Sequence, residues 1–220
     1  MMPADKIVEM LLAGTGETLL MVLISTAMGY VIGLPLGVVL TVTDTKGISP
    51  NRVVYKTLDA IVNVTRSVPF LILLILIQPL TKLLVGKSYG TLATVVPLTV
   101  AAAPLIARMV ESSLKEVDSG VVEAALSMGA DKREIVTKVL VPEARISLLI
   151  GVTIALGTIL GYSAMAGVVG GGGLGDIAIR YGYYRYETGI MIVTVVVLVI
   201  LMQVLQWTGN LLSKKLDRRK

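Results

Sequence analysis

Long runs of apolar residues, separated by short polar connections, dominate the hydropathy pattern of the chain. A helix that crosses about 30 Å of hydrocarbon needs about 20 residues at 1.5 Å per residue. Five stretches are long and apolar enough: 18–43, 60–81, 88–110, 146–170 and 188–213. Backbone groups in lipid must satisfy one another, so we expect these stretches to be helices. The pattern predicts an all-α integral membrane protein, a single unit over 1–220 with a core at about 13–210.

Composition agrees with a membrane protein and excludes several kinds of site. Of the 220 residues, 55% are hydrophobic and only 16% are charged, against about 25% charged in an average soluble domain. The chain has no cysteine and no histidine. Disulfides and thiolate metal sites are therefore excluded, and the usual neutral-pH base is missing. We expect no metal site and no catalytic residue.

The basic residues predict an orientation. Thirteen of them fall in the first connection, the third connection and the C-terminal tail: Lys46, Arg52, Lys56, Lys115, Lys132, Arg133, Lys138, Arg145, Lys214, Lys215, Arg218, Arg219 and Lys220. Five fall on the other side: Lys6, Lys82, Lys87, Arg180 and Arg185. Cytoplasmic loops carry an excess of Lys and Arg, so the N-terminus is expected outside and the C-terminus in the cytoplasm. The net charge of +5 reflects this bias and does not indicate nucleic-acid binding.

Small residues in the spans predict close helix packing. Gly29, Gly33 and Gly37 recur every four residues in the first span, and Gly157 and Gly161 repeat the spacing in the fourth. Glycines at this spacing let two helix backbones approach closely. The stripe is compatible with packing inside one subunit and with an interface between subunits. Prolines that could kink or end helices stand at Pro35, Pro69, Pro79, Pro97 and Pro104.

The one long polar connection, residues 110–145, lies between the third and fourth spans. Asp118 or Ser119 can cap a first short helix, since side-chain oxygens of these residues accept from free backbone N–H groups. Gly129 stands where a left-handed residue would end that helix. The sequence predicts a two-helix element at about 118–141 with a tight glycine corner.

The second helix of this element has its own start and stop signals. Asp131 and Glu134 have the spacing of a capping box, and Pro142 is expected to stop the helix. Its apolar residues share one face: Ile135, Val136, Val139 and Leu140. Such an element could be a docking site for a partner, or it could lie on the lipid headgroups.

Part of this connection resembles a known signature. Glu123, Ala124 and Ala125, then Gly129, then an aliphatic ending at Pro142 are similar to the EAA motif of binding-protein-dependent ABC importer permeases. All spacings of that motif are kept, with Val139 and Val141 at its two aliphatic positions.

The resemblance extends over nearly the whole chain and is closest to the permease subunits of bacterial methionine importers. It is carried by four segments: 63–70, 96–111, 161–167 and 171–175. The combination of Tyr162-Ser163-Ala164-Met165 with Tyr181-Gly182-Tyr183 points to methionine, because other amino-acid importers share the remaining pieces.

This resemblance implies partners and a location. Two copies of the chain would line one pathway in the bacterial cytoplasmic membrane. Two cytoplasmic ATP-binding subunits would carry ATP and Mg, and a methionine-binding protein would dock outside. The Glu123 element would insert into a cleft of each ATPase, so the chain itself is expected to be a transport subunit and not an enzyme.

Four residues are candidates for the solute pathway. Arg66 is a charge inside a predicted span, which is expensive unless it faces a cavity, finds a partner or reaches the interface. Arg66 could therefore bind a substrate carboxylate, pair with an acid or extend to the headgroups. Tyr162, Ser163 and Met165 are polar or polarisable in a glycine-rich span, and they could line the pathway or pack in the core.

Two other transport functions stay open at this point. One is an ABC permease for another small amino acid or an osmolyte. The other is an ion-coupled secondary transporter, which should carry buried carboxylates near the membrane midplane. The predicted spans contain almost no acidic residue, which argues against proton coupling.

Overall fold

The computed structural model describes residues 3–216, and every regular element in that range is helical. The α-helices are α1 (Ala4–Thr43), α2 (Arg52–Ser67), α3 (Phe70–Leu76), α4 (Gln78–Val85), α5 (Thr91–Lys115), α6 (Ser119–Ser127), α7 (Lys132–Glu134), α8 (Val141–Glu143), α9 (Arg145–Ala166), α10 (Gly173–Ile177) and α11 (Thr188–Leu216). Two π-helical segments, Ile135–Leu140 and Ala178–Tyr183, and a 3-10 turn, Gly167–Val169, connect some of them.

Four helices within the described residues are long and apolar enough to cross a membrane. They are Asp5–Thr43, Thr91–Lys115, Arg145–Val169 and Thr188–Leu216, and the bent pair of α2 and α3 brings the number to five if it counts as one span. Predicted spans one, three, four and five coincide with the four long helices. α1 begins earlier than the predicted span, at Ala4, and α5 extends beyond its predicted span to Lys115.

The stretch predicted as the second span, 60–81, is not one helix. α2 ends at Ser67, α3 starts at Phe70, and their axes differ by 102°. The cause is local: Pro69 restricts the residue before it, and Val68 takes an extended conformation with φ −77° and ψ 122°. The chain then breaks again at Ile77 before α4.

α5 is the central helix of the bundle. A stripe of its residues, each four positions from the next, is buried: Leu98, Ala102, Ile106, Val110 and Leu114. α1 packs along this helix in the most extensive helix–helix contact of the described chain. A Cβ atom at Gly33 would lie 2.6 Å from the backbone oxygen of Ala103, so only glycine permits this approach. The stripe in the first span therefore packs inside the subunit.

The glycine-rich segment after α9 closes the end of the bundle that lies opposite α6. The backbone N–H of Gly173 donates to the carboxylate of Glu17 on α1 at 2.6 Å, and that of Leu174 donates to the Thr18 hydroxyl at 2.9 Å. Gly173 has φ +72°, and a Cβ there would lie 2.6 Å from the Thr18 hydroxyl oxygen. Both conformation and space therefore require glycine at this position.

Candidate functional site: a helix–glycine–helix knob and a charge cluster

The α6–α8 segment, residues 118–143, forms a two-helix knob after the C-terminal end of α5. Its first helix begins where the Asp118 side chain accepts from the backbone N–H of Gly120 at 2.7 Å. Ala125 faces the core and is 5% exposed, whereas Glu123 and Ala124 are exposed. The helix therefore anchors through one alanine and presents the glutamate outward.

Gly129 makes the corner of the knob. Its φ is +84°, in the left-handed region. The N–H of Ala130 donates to the carbonyl of Ala125 at 3.1 Å, and the N–H of Gly129 donates to that of Leu126 at 3.0 Å. This pair of bonds is the Schellman motif, which requires a residue at positive φ after the helix.

The second helix starts with the predicted capping box. The backbone N–H of Glu134 donates to the Asp131 carboxylate at 2.7 Å, and that of Asp131 donates to the Glu134 carboxylate at 3.2 Å. The Lys138 ammonium, 2.7 Å from Glu134, holds the pKa of that carboxyl below its ordinary value. Ile135 and Leu140 are buried, so the apolar face of this helix packs onto the body of the protein.

Pro142 does not stop this helix, contrary to the prediction from sequence. The segment Ile135–Leu140 is π-helical, and helical structure continues through Pro142 to Glu143. Proline lacks an N–H and is tolerated in the first turn of a helix, which is its position in α8 after the π-helical turn. The break before α9 comes at Ala144.

The tip of the knob is unusually apolar for an exposed surface. Met128 is 81% exposed and Leu126 is 47% exposed, close to the exposed Glu123. A groove of about 420 Å³, lined in part by Glu123 and Leu126, separates α6 from the connection between α1 and α2. Exposed apolar side chains beside a carboxylate, at the edge of a groove, are typical of a surface that binds a protein partner.

The four pathway candidates have different surroundings. The Ser163 hydroxyl is buried and donates to the Leu160 carbonyl at 2.8 Å, which favours the packing role that the sequence left open. Tyr162 stacks on Phe70, with ring centroids 4.7 Å apart. Met165 is 48% exposed and is free to line a surface.

Arg66 lies in the last turn of α2 and is exposed. It makes no salt bridge with any residue of the described range 3–216. The acidic partner that the sequence left possible is thus not present within residues 3–216, and contact with solute or headgroups is still a prediction.

The structure brings together charged residues that sequence reasoning missed. Arg108 pairs with Asp59 of α2 and, at 2.6 Å, with Glu111; Lys115 pairs with Glu111 at 2.8 Å and with Asp44 at 2.6 Å. We call these five residues the charge cluster. The spacing of Arg108, Glu111 and Lys115, three and four residues apart on one helix face, was the signal available in the sequence.

The part of the chain that the structure describes contains no candidate metal site. No group of three or more acidic, histidine or cysteine side chains in residues 3–216 could hold a metal ion. The carboxylates of the charge cluster are instead matched to arginine and lysine.

Comparisons with known proteins identify relatives over almost the whole chain. The family model of the "binding-protein-dependent transport system inner membrane component" matches residues 33–218. The probable D-methionine transport system permease protein MetI of Vibrio cholerae is 52% identical over 211 residues, which are 96% of this chain and 94% of that protein. The D-methionine transport system permease protein MetI of Escherichia coli K12 is 49% identical over 164 residues, 74% of this chain and 76% of the relative.

Solved structures agree with these relatives. A structure described as an inward-facing conformation of the MetNI methionine ABC transporter has a TM-score of 0.96 and 47% identity, covering 98% of this chain and 100% of that chain. An amino acid ABC transporter solved with histidines has a TM-score of 0.75 at 20% identity, a likeness of fold alone. The chain therefore belongs to the family of binding-protein-dependent transport system inner membrane components and is a membrane permease, close in sequence to the MetI proteins and in structure to a chain of the MetNI transporter.

Proposed function

We propose that the chain forms the translocation pathway of an ATP-driven methionine importer, as one of two identical permease subunits. The family makes it a transport subunit of the inner membrane and not an enzyme. ATP hydrolysis, with ATP and Mg, belongs to two separate cytoplasmic subunits, and an extracytoplasmic methionine-binding protein delivers the substrate. The names of the relatives and of the matched structure support methionine as the solute.

The orientation is part of the proposal. With the N-terminus outside, the knob and the C-terminus face the cytoplasm together with most of the basic residues. The knob then lies on the side where ATPase subunits are expected. The boundaries of the unit, 1–220 with a core at about 13–210, are proposed with it.

The observation that carries the docking function is the exposed tip of the knob. Glu123 and Ala124 face outward on a helix whose end is fixed by a Schellman motif, and the next residue, Ala125, anchors the helix in the core. A rigid element is what coupling requires, because ATP can shift the permease only by the free energy with which it favours one docked state. Gly129 and Pro142 shape this element, and we assign them a positioning role.

Co-purification tests the docking function. The chain is co-expressed with an ATPase subunit from the same source, and wild type is compared with Glu123→Arg. The matched control is Glu9→Arg, which changes an exposed glutamate near the N-terminal end of α1. We expect Glu123→Arg to abolish co-purification while membrane insertion is unchanged, and Glu9→Arg to behave as wild type. Equal recovery of the ATPase with both variants would refute the docking function.

Uptake tests the solute. Purified complex in proteoliposomes, with ATP on the knob side and the binding protein on the other, should accumulate radiolabelled methionine. Accumulation of a different amino acid or of an osmolyte in preference to methionine would reject methionine as the solute, and the assignment as an ABC permease would be retained.

A further inference from the structure

The charge cluster connects three separate parts of the chain: α5, α2 and the end of α1. Glu111 lies at its centre with a side chain only 4% exposed, and it accepts from Arg108, Lys115 and the Tyr55 hydroxyl. Arg108 also donates to Asp59 and, at 2.8 Å, to Asn63 on α2. The cluster thus joins α5 to α2, and through Asp44 it joins α5 to the end of α1.

A buried carboxylate makes such a cluster cooperative. Removing one partner from a buried ion pair is strongly unfavourable, because the other charge is left uncompensated. If α2 moved away from α5, Arg108 would lose two acceptors and Glu111 would lose the Tyr55 hydroxyl. The charged groups therefore favour motion of α2 together with α5.

The other contacts that hold α2 form one small apolar patch. Of its sixteen residues only Val62 is buried, in a cluster with Leu40 and Ala107 against which the half-buried Tyr55 and Leu58 of α2 also pack. Beyond Ser67 the chain turns by 102° into α3, so α2 is not braced by a continuing helix. The ionic contacts are consequently a large part of what fixes the position of α2.

The cluster also lies next to the knob. Lys115 is the last residue of α5, and Asp118 caps α6 only three residues later. On the other side of the knob, the Lys132 ammonium donates to the Ser49 hydroxyl at 2.9 Å, in the connection that leads into α2. A displacement of the knob therefore reaches α2 by two polar routes.

We propose that the charge cluster centred on Glu111 transmits movement of the knob to α2, and that Glu111 is a positioning residue for coupling ATP hydrolysis to transport. This inference rests on the proposed function, because it assumes that an ATPase moves the knob. α2 carries Arg66 at its far end, so its displacement changes the surroundings of a pathway candidate.

The test compares Glu111→Gln with wild type in the complete transporter, reconstituted in proteoliposomes. ATP hydrolysis and methionine uptake are measured together, since loss of folding lowers both and loss of coupling lowers only uptake per ATP. We expect uptake per ATP to fall at least about fivefold, the low end of ordinary coupling factors. The matched control is Glu116→Gln, five residues further on and in no salt bridge with residues 3–216; it should keep the wild-type ratio.

A distance measurement separates the cluster from the transport function. The chain has no cysteine, so spin labels attach only at Val64→Cys on α2 and Ser112→Cys on α5, both exposed. In wild type the distance between them should stay narrow with and without ATP, and in Glu111→Gln or Asp59→Asn it should broaden. If wild type takes up no methionine but keeps this narrow distance, methionine is rejected as the solute and the proposed role of the charge cluster is retained. Unchanged distances and an unchanged uptake per ATP in Glu111→Gln and Asp59→Asn would overturn the inference.

Discussion

The corner of the knob permits a quantitative prediction, because substitution at Gly129 changes backbone energy and little else. No heavy atom lies within 4 Å of the position that a Cβ would take, so a larger side chain meets no neighbour within the subunit. The φ of +84° is, however, strained for any residue that carries a Cβ. The cost for an L-residue in the left-handed region is roughly 1–2 kcal/mol. If docking requires the native corner, the affinity for the ATPase should fall by about 5- to 30-fold.

A graded series makes this prediction specific. Gly129→Asn should have the smallest effect, since asparagine tolerates the left-handed region, and Gly129→Val should have the largest, since a β-branched residue tolerates it least. Titration of the ATPase subunit against detergent-solubilised permease gives the affinity, and reconstituted uptake gives the functional consequence. Gly189→Val is the matched control, since Gly189 also has open space around it but an ordinary φ.

The order of the Gly129 variants is the decisive outcome. If Gly129→Asn and Gly129→Val weakened docking equally, backbone strain at the corner would not be the cause of the weaker docking. The same conclusion would follow if Gly189→Val weakened docking as much as Gly129→Val. Unchanged docking in all Gly129 variants would mean that the partner does not need the native corner.

Three further predictions concern the body of the protein. Gly33→Ala should lower the stability of the purified chain by about 1–3 kcal/mol, because its Cβ would lie 2.6 Å from a backbone oxygen of α5. Gly16→Ala should leave the stability unchanged, because no atom lies within 4 Å of its Cβ position. Thermal unfolding in detergent measures the stability of both variants. Glu17→Gln should loosen the glycine-rich segment, because a charged acceptor for the N–H of Gly173 is replaced by a neutral one; faster hydrogen exchange at 170–175 would show this, and wild-type exchange would contradict it. A hydrogen bond from Lys115 lowers the pKa of Asp44, so this carboxylate stabilises the fold fully above its unfolded-state pKa. The contribution is lost as the pH falls through the lowered folded-state pKa. Asp44→Asn should therefore flatten the plot of unfolding free energy against pH below about pH 4.

Most of the long helices and the local structure of the knob could be predicted because their signals are local. Twenty apolar residues predict a span whatever surrounds them. The Asp118 cap, the Gly129 corner and the capping box at Asp131 each depend on residues within five positions of one another. Long-range contacts change such elements little, so a short stretch of sequence is enough to identify them.

The second predicted span shows the limit of averaging hydropathy. The residues from 60 to 81 are apolar enough on average, but an average does not register where the backbone can continue as a helix. Pro69 forces Val68 into an extended conformation, and the helix ends there. Pro142 shows the opposite case, because the π-helical turn before it lets the helix continue. Proline marks a place where helices can break, and the surrounding hydrogen bonds decide whether one does.

The two arginines of the predicted spans show why the charge cluster escaped sequence reasoning. Arg66 interrupts an apolar stretch and so attracts attention, whereas Arg108 stands near the end of its span among residues that look like an ordinary helix terminus. In the structure Arg66 is exposed and unpaired within residues 3–216, while Arg108 has two carboxylate partners. One of those partners is 49 positions away on α2, a separation that no local spacing rule covers. The cost of burying a charge predicts that partners must exist, but only the packing of α2 against α5 determines which residues they are.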